Sequence, residues 1–122
     1  MNSKFTTNIA PHVQAELLQA NKARQQKKPQ KEFSHLENAH VLGQASTYWH
    51  VNTHVLMLLW AIRNSAPKEF VGQLLRIVGA ASKTAVGLIP KGNTGGSNVS
   101  PFKVMPISPD HEKIINDAKS DV

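Results

Sequence analysis

Apolar side chains recur at three- and four-residue steps through the first eighty or so residues, the spacing that puts them on one side of a helix. Val13, Leu17, Ala20 and Arg24 mark one such face. The pattern starts this first helix after Thr7 or Asn8, leaving residues 1–7 as a disordered lead-in. Pro11 then falls in the first turn, where its missing N–H does no harm. Residues 27–30 read as a turn, with Pro29 able to open a second helix. There Phe33, Leu36, Glu37 and His40 share one side, and Gly43 supplies a stop. Ser46 or Thr47 caps a third helix reaching about Asn64. Its stretch 55–62 is apolar nearly all round, which predicts the most buried element of the fold. Ser65 and Pro67 give the start signal of a fourth helix, whose apolar side is expected from Phe70, Val71, Leu74, Leu75, Ile77, Val78 and Ala81.

Beyond Lys83 the pattern changes. Residues 87–108 carry Pro90, Pro101, Pro106 and the run Gly92-Asn93-Thr94-Gly95-Gly96, which is loop chemistry tolerant of positive φ. Val99, Phe102, Val104, Met105 and Ile107 are too apolar for a free linker, so an extended arm packed over the bundle is expected. Ser108-Pro109-Asp110 then combines a cap, a proline at the first position and an acid in the first turn. The short helix that follows has His111, Ile114, Ile115 and Ala118 on one side, and residues 119–122 read as a frayed tail. The fold predicted is all-α, a single helical domain over residues 8–118. It has four main helices in two antiparallel hairpins, an extended C-terminal arm and a short fifth helix. Leu36, Ala39 and Leu42 fit the second-helix pattern of a tetratricopeptide unit, so tetratricopeptide-like packing is expected, without a second repeat.

The totals add limits. A chain of 122 residues suits one domain with a modest core. No stretch approaches the roughly 20 apolar residues of a membrane span, and no apolar leader is visible, so a soluble bacterial cytoplasmic protein is expected. Zero cysteine removes disulfides and thiolate ligands. Net charge is +6, yet Lys22, Arg24, Lys27, Lys28 and Lys31, five of the 14 basic residues, crowd around one turn. No aromatic ring interleaves with them, so a solvated turn fits better than a specific nucleic-acid surface.

Candidate chemistry gathers in Glu37-x-x-His40 and His50-x-x-x-His54, the two spacings that place ligand pairs one helical turn apart. Antiparallel helices joined by short turns bring residues equally far from a turn to one height. Glu16, Glu37, His40, His50 and His54 then meet at one end of the bundle, with His12 one turn beyond Glu16. Imidazole and carboxylate without sulfur suit Zn, Ni, Co, Mn or Fe. His35 is excluded, lying roughly 140° around the helix from His40. Two plainer readings stand beside the metal. His40 fits a core histidine hydrogen-bonded to Glu16 within a buried His–Glu network, and His50 and His54 fit unrelated surface histidines.

The glycine run lacks the Lys-Ser/Thr of a phosphate-binding loop and reads as a tight turn that lets the arm approach the bundle. Catalysis has little support. There is no cysteine nucleophile and no Gly-x-Ser-x-Gly elbow, and every Asp lies at or after Asp110.

Several stretches together resemble a small bacterial family of uncharacterised proteins, a domain of unknown function. They are Pro11-His12-Val13 with Ala15-Glu16-Leu17, His35-Leu36-Glu37 with Ala39-His40-Val41-Leu42-Gly43-Gln44, and His50-Val51 with His54. Gly72-Gln73-Leu74-Leu75-Arg76, the Gly92–Gly96 run with Asn98-Val99-Ser100, and Met105-Pro106-Ile107 complete the set. Such proteins resemble companions of heavy-metal-resistance genes, which implies a metal rather than an assigned reaction. Two functions follow as expectations. One is a divalent transition-metal-binding protein. The other is a non-catalytic module that binds a protein partner, its His/Glu cluster being structural. Neither reading involves a membrane, and the oligomeric state stays open.

Overall fold

The computed structural model describes residues 3–85, 94–97 and 104–120, the side chains of residues 3 and 82–85 excepted. Five helices follow in order: α1 (Ser3–Gln25), α2 (Pro29–Gly43), α3 (Thr47–Arg63), α4 (Pro67–Ala85) and α5 (Pro109–Lys119). No strand occurs among the described residues, and the fold is all-α. The punctuation works as local chemistry dictates. Ser46 caps α3 by accepting the Trp49 N–H at 3.3 Å, and Ser108 caps α5 by accepting that of His111. Pro29 and Pro109 open their helices. Lys27 (φ 58°) and Ser65 (φ 51°) take left-handed conformations just past α1 and α3, which turn the chain back.

The turns make successive helices antiparallel, and cross-helix pairs record it. Glu16 meets His35 across α1 and α2, while Glu32 meets Arg63 and His40 meets His54 across α2 and α3. Two cores result. Phe5, Ile9, Val13, Ala39, Leu42 and Trp49 form one, closed by Ile115 and Ala118 of α5. Phe33, Leu36, Met57, Trp60 and Ala61 with Ala20 form the other, the Phe33 and Trp60 rings 4.5 Å apart at 52°.

Three differences from the sequence pattern matter. First, α1 begins at Ser3, not after Thr7, and Pro11 lies inside it. Phe5, only 1% exposed, extends the Ile9 and Val13 stripe by one turn, although polar neighbours hide it in the sequence. Thr6 also holds this end, its carbonyl accepting from Trp49 Nε1 at 3.1 Å. At the other end of α1 the stripe closes on buried Ala23, and Arg24 is exposed. Second, α3 is not buried all round. Met57, Trp60 and Ala61 face inward, and Val55, Leu59 and Ile62 are exposed. Third, most of the apolar side expected to bury α4 points outward: Val71, Leu74, Leu75 and Val78 are exposed. Instead α4 turns Gln73 inward, 0% exposed.

Of the expected arm at 87–108, residues 94–97 and 104–108 are described and non-helical, with Gly95 and Gly96 buried. The rest of that arm, the first two residues of the lead-in and the last two of the frayed tail lie outside the described residues. No described helix is long and apolar enough to cross a membrane.

Candidate metal centre

His40 comes from the last turn of α2, and His50 and His54 come from successive turns of α3. Leu36 and Ala39 bury that side of α2, and α3, capped by Ser46, turns Trp49, His50, Thr53 and His54 inward. Thr53 satisfies its own buried hydroxyl by donating to the Trp49 carbonyl at 2.9 Å. All three imidazoles are buried, and one ring nitrogen of each lies within 4.8 Å of the others. Ring centroids are 4.6 Å apart for His40 and His54, 4.9 Å for His40 and His50, and 5.0 Å for His50 and His54. His40 Nε2 and His54 Nε2 stand 3.1 Å apart.

The state of His54 follows from its neighbours. Gln73 Nε2 donates to Glu69 Oε2 at 2.6 Å and to the Gly95 carbonyl at 2.8 Å, so its amide nitrogen is committed to two acceptors. The Gln73 oxygen therefore faces His54 and accepts from Nδ1 at 2.6 Å. A proton on Nδ1 leaves the Nε2 lone pair turned towards His40 and His50. Burial holds the ring neutral, lowering the His54 pKa from 6.5 to about 4. The Gln73 bond opposes that shift, Arg76's charge adds to it, and Glu69's charge opposes it.

The 94–97 segment closes the relay. Glu69 accepts from the Ser97 backbone N–H at 3.0 Å and from its hydroxyl at 2.9 Å. Gly95, at φ +86°, lies flat on His40: a Cβ there would stand 2.7 Å from Cδ2 and 2.9 Å from Nε2. Opposite Ser97, Gly72 leaves the room the segment needs, since a Cβ there would stand 2.5 Å from the Ser97 Cβ. Only glycine at position 95 combines that backbone angle with that approach.

The other sequence candidates lie elsewhere. Glu16 accepts from His35 Nδ1 at 2.8 Å and from Asn38 Nδ2 at 3.2 Å. Height along the bundle placed Glu16 level with His40, but α2 has two neighbours. Its His35 and Asn38 side faces α1, and its His40 side faces α3. His12 is exposed on α1. Glu37 is half-buried, one turn before His40, and outside the close group of three. Burial first, and Glu69's charge second, push its carboxyl pKa upward.

Four contributors escaped sequence reasoning: Glu69, Gln73, Gly95 and Ser97. Glu69 and Gln73 were legible only as polar residues one turn apart on an amphipathic helix, and Gly95 only as part of a tight turn expected to let the arm approach the bundle. Across residues 7–115 the chain matches the model of a family described as "Protein of unknown function (DUF3703)". No curated protein and no solved structure matches it.

Proposed function

We propose that this chain, which belongs to the DUF3703 family of proteins of unknown function, binds one divalent transition-metal ion, Zn(II) foremost, through His40, His50 and His54. The observation that carries the reading is the oriented, neutral His54 pointing its Nε2 lone pair at two other buried imidazoles, those of His40 and His50. Two imidazole nitrogens on a tetrahedral zinc, each about 2.0–2.1 Å from the metal, stand roughly 3.4 Å apart. The 3.1 Å between His40 and His54 lies near that separation. A carboxylate-backed partner on the far ring nitrogen is the usual outer shell of a metal-binding histidine, and Gln73 with Glu69 supplies one here.

The charge around the group is mixed, with Arg76 acting on His54 against a cation and Glu69 acting for one. Imidazole ligands bring no negative charge of their own, and a buried dication needs acids close by. Glu69 stands behind His54, and Glu37, half-buried beside His40 on α2, is the second acid. An all-imidazole set without carboxylate suits Zn, Ni or Co better than Mn. Three protein ligands leave a position for water or a small anion.

The 3.1 Å spacing also favours a second reading, in which His40 Nε2–H donates to His54 Nε2 and the cluster is a structural hydrogen-bond network in a protein-interaction module. Calorimetric titration of chelator-treated protein with Zn(II), Ni(II) and Co(II) separates the two. Micromolar or tighter binding at one ion per chain is expected, lost in His50→Ala/His54→Ala with helicity retained. No measurable binding by the parent protein leaves the network reading.

A further inference from the structure

The fourth helix is inside out. Its polar residues Glu69, Gln73 and Arg76 fall at steps of four and three and turn inward, where Glu69 and Gln73 hold His54 and the 94–97 segment and Arg76 donates to the Gly72 carbonyl. Val71, Leu74, Leu75 and Val78, at steps of three, one and three, form the seam a helix normally buries, yet Leu75 is 72% and Val78 70% exposed. The third helix adds a second bare row in Val55, Leu59 and Ile62. An open apolar hollow of about 430 Å³ at the α3–α4 turn adjoins the α3 row through Ile62 and reaches Phe70 at the start of α4.

We propose that this α3–α4 face is where two copies of the chain associate about a two-fold axis, α4 against α4. Charge and area favour a second copy. With a net charge of +6, two copies repel over most of their surface. Between Lys68 and Lys83, however, the only charged residues of α4 are Glu69 and Arg76, and both turn inward. Between its two terminal lysines the seam therefore meets its own image without like charges in contact. With its lysines confined to Lys68 and Lys83 near the two ends, α4 also lacks the row of Lys and Arg that an interfacial helix sets beside its apolar side. The two rows leave roughly 600 Å² of apolar side chain in water per copy, the upper end for a monomer and near the about 800 Å² per partner of a stable interface. The hollow beside Ile62 gives a large apolar side chain of the partner copy a place to seat. This association needs no metal, so it stands or falls separately from the ion-binding reading.

Sedimentation equilibrium of the full chain between about 1 and 100 micromolar tests it. The expected mass is twice the 13.4 kDa of the chain, unchanged by chelator. Leu75→Glu and, separately, Val71→Lys should weaken the dimer at least tenfold with the far-ultraviolet spectrum kept. Leu18→Glu, at an exposed apolar position on α1, should leave it intact. A monomer throughout this range overturns the proposal. So does a dimer that survives both α4 variants, and so does a monomer that pellets with phosphatidylcholine vesicles.

Discussion

Gln73 holds His54 at 2.6 Å through the Nδ1–H and thereby aims the Nε2 lone pair at His40, 3.1 Å away. One amide on α4 thus decides the tautomer of an imidazole on α3, and the amide itself is oriented by Glu69 and by the Gly95 carbonyl. Gln73→Leu keeps the volume but frees the ring to turn and to change tautomer. Zinc affinity, read by competition with a chromophoric chelator, should fall about 10- to 100-fold, the usual effect of removing an outer-shell partner.

Acid should weaken the fold through His54. Its pKa is about 4 in the folded protein against 6.5 for the ordinary side chain, so between these values the unfolded chain binds the extra proton. The His54 contribution is complete above about pH 6.5 and is lost as pH falls towards 4. The loss is on the order of 3 kcal/mol. Urea midpoints of metal-free protein from pH 7.5 to 4.5 should show this slope, and His54→Asn should flatten it.

Gly95→Ala places a methyl group against the His40 ring and an L side chain at φ +86°. A thermal scan should show the metal-free variant less stable by about 1–3 kcal/mol. Zinc binding should weaken as well, because relief of the clash moves His40 or lifts the 94–97 segment. Equal stability and affinity in the variant would mean that the segment does not lie on the ring.

Glu16→Gln tests the division of labour on α2. The carboxylate is engaged by His35 and Asn38, so zinc affinity should stay within about threefold while the α1–α2 contact loses a charge-assisted bond worth about 1.5–3 kcal/mol at most. A tenfold drop in affinity would bring Glu16 back into the ligand set.

Phe5→Ala asks whether the N-terminal turn belongs to the core. A side chain 1% exposed among Ile9, Leu42 and Trp49 should cost about 3–5 kcal/mol on truncation. Chemical denaturation of metal-free protein measures it, and a cost near zero would return residues 3–7 to the status of a loose lead-in.

What the sequence determined by itself is local. Helix starts at Pro29, Thr47, Pro67 and Pro109 follow from capping and proline chemistry that acts within one turn. The pairing of His50 with His54 is likewise a property of one helix, and short turns implied the antiparallel neighbour that brings His40 to them. Which way each helix is rotated was decided only by tertiary structure. Periodicity names an apolar face but not its destination, and on α4 it is Gln73 that turns inward to His54 while Val71, Leu74, Leu75 and Val78 point outward. Rotation about α2 likewise handed Glu16 to His35. Gly95 reached His40 across fifty-odd residues of chain, a distance at which no sequence spacing carries information. A buried polar group must find its partner wherever the packing puts one, and that choice belongs to the whole fold.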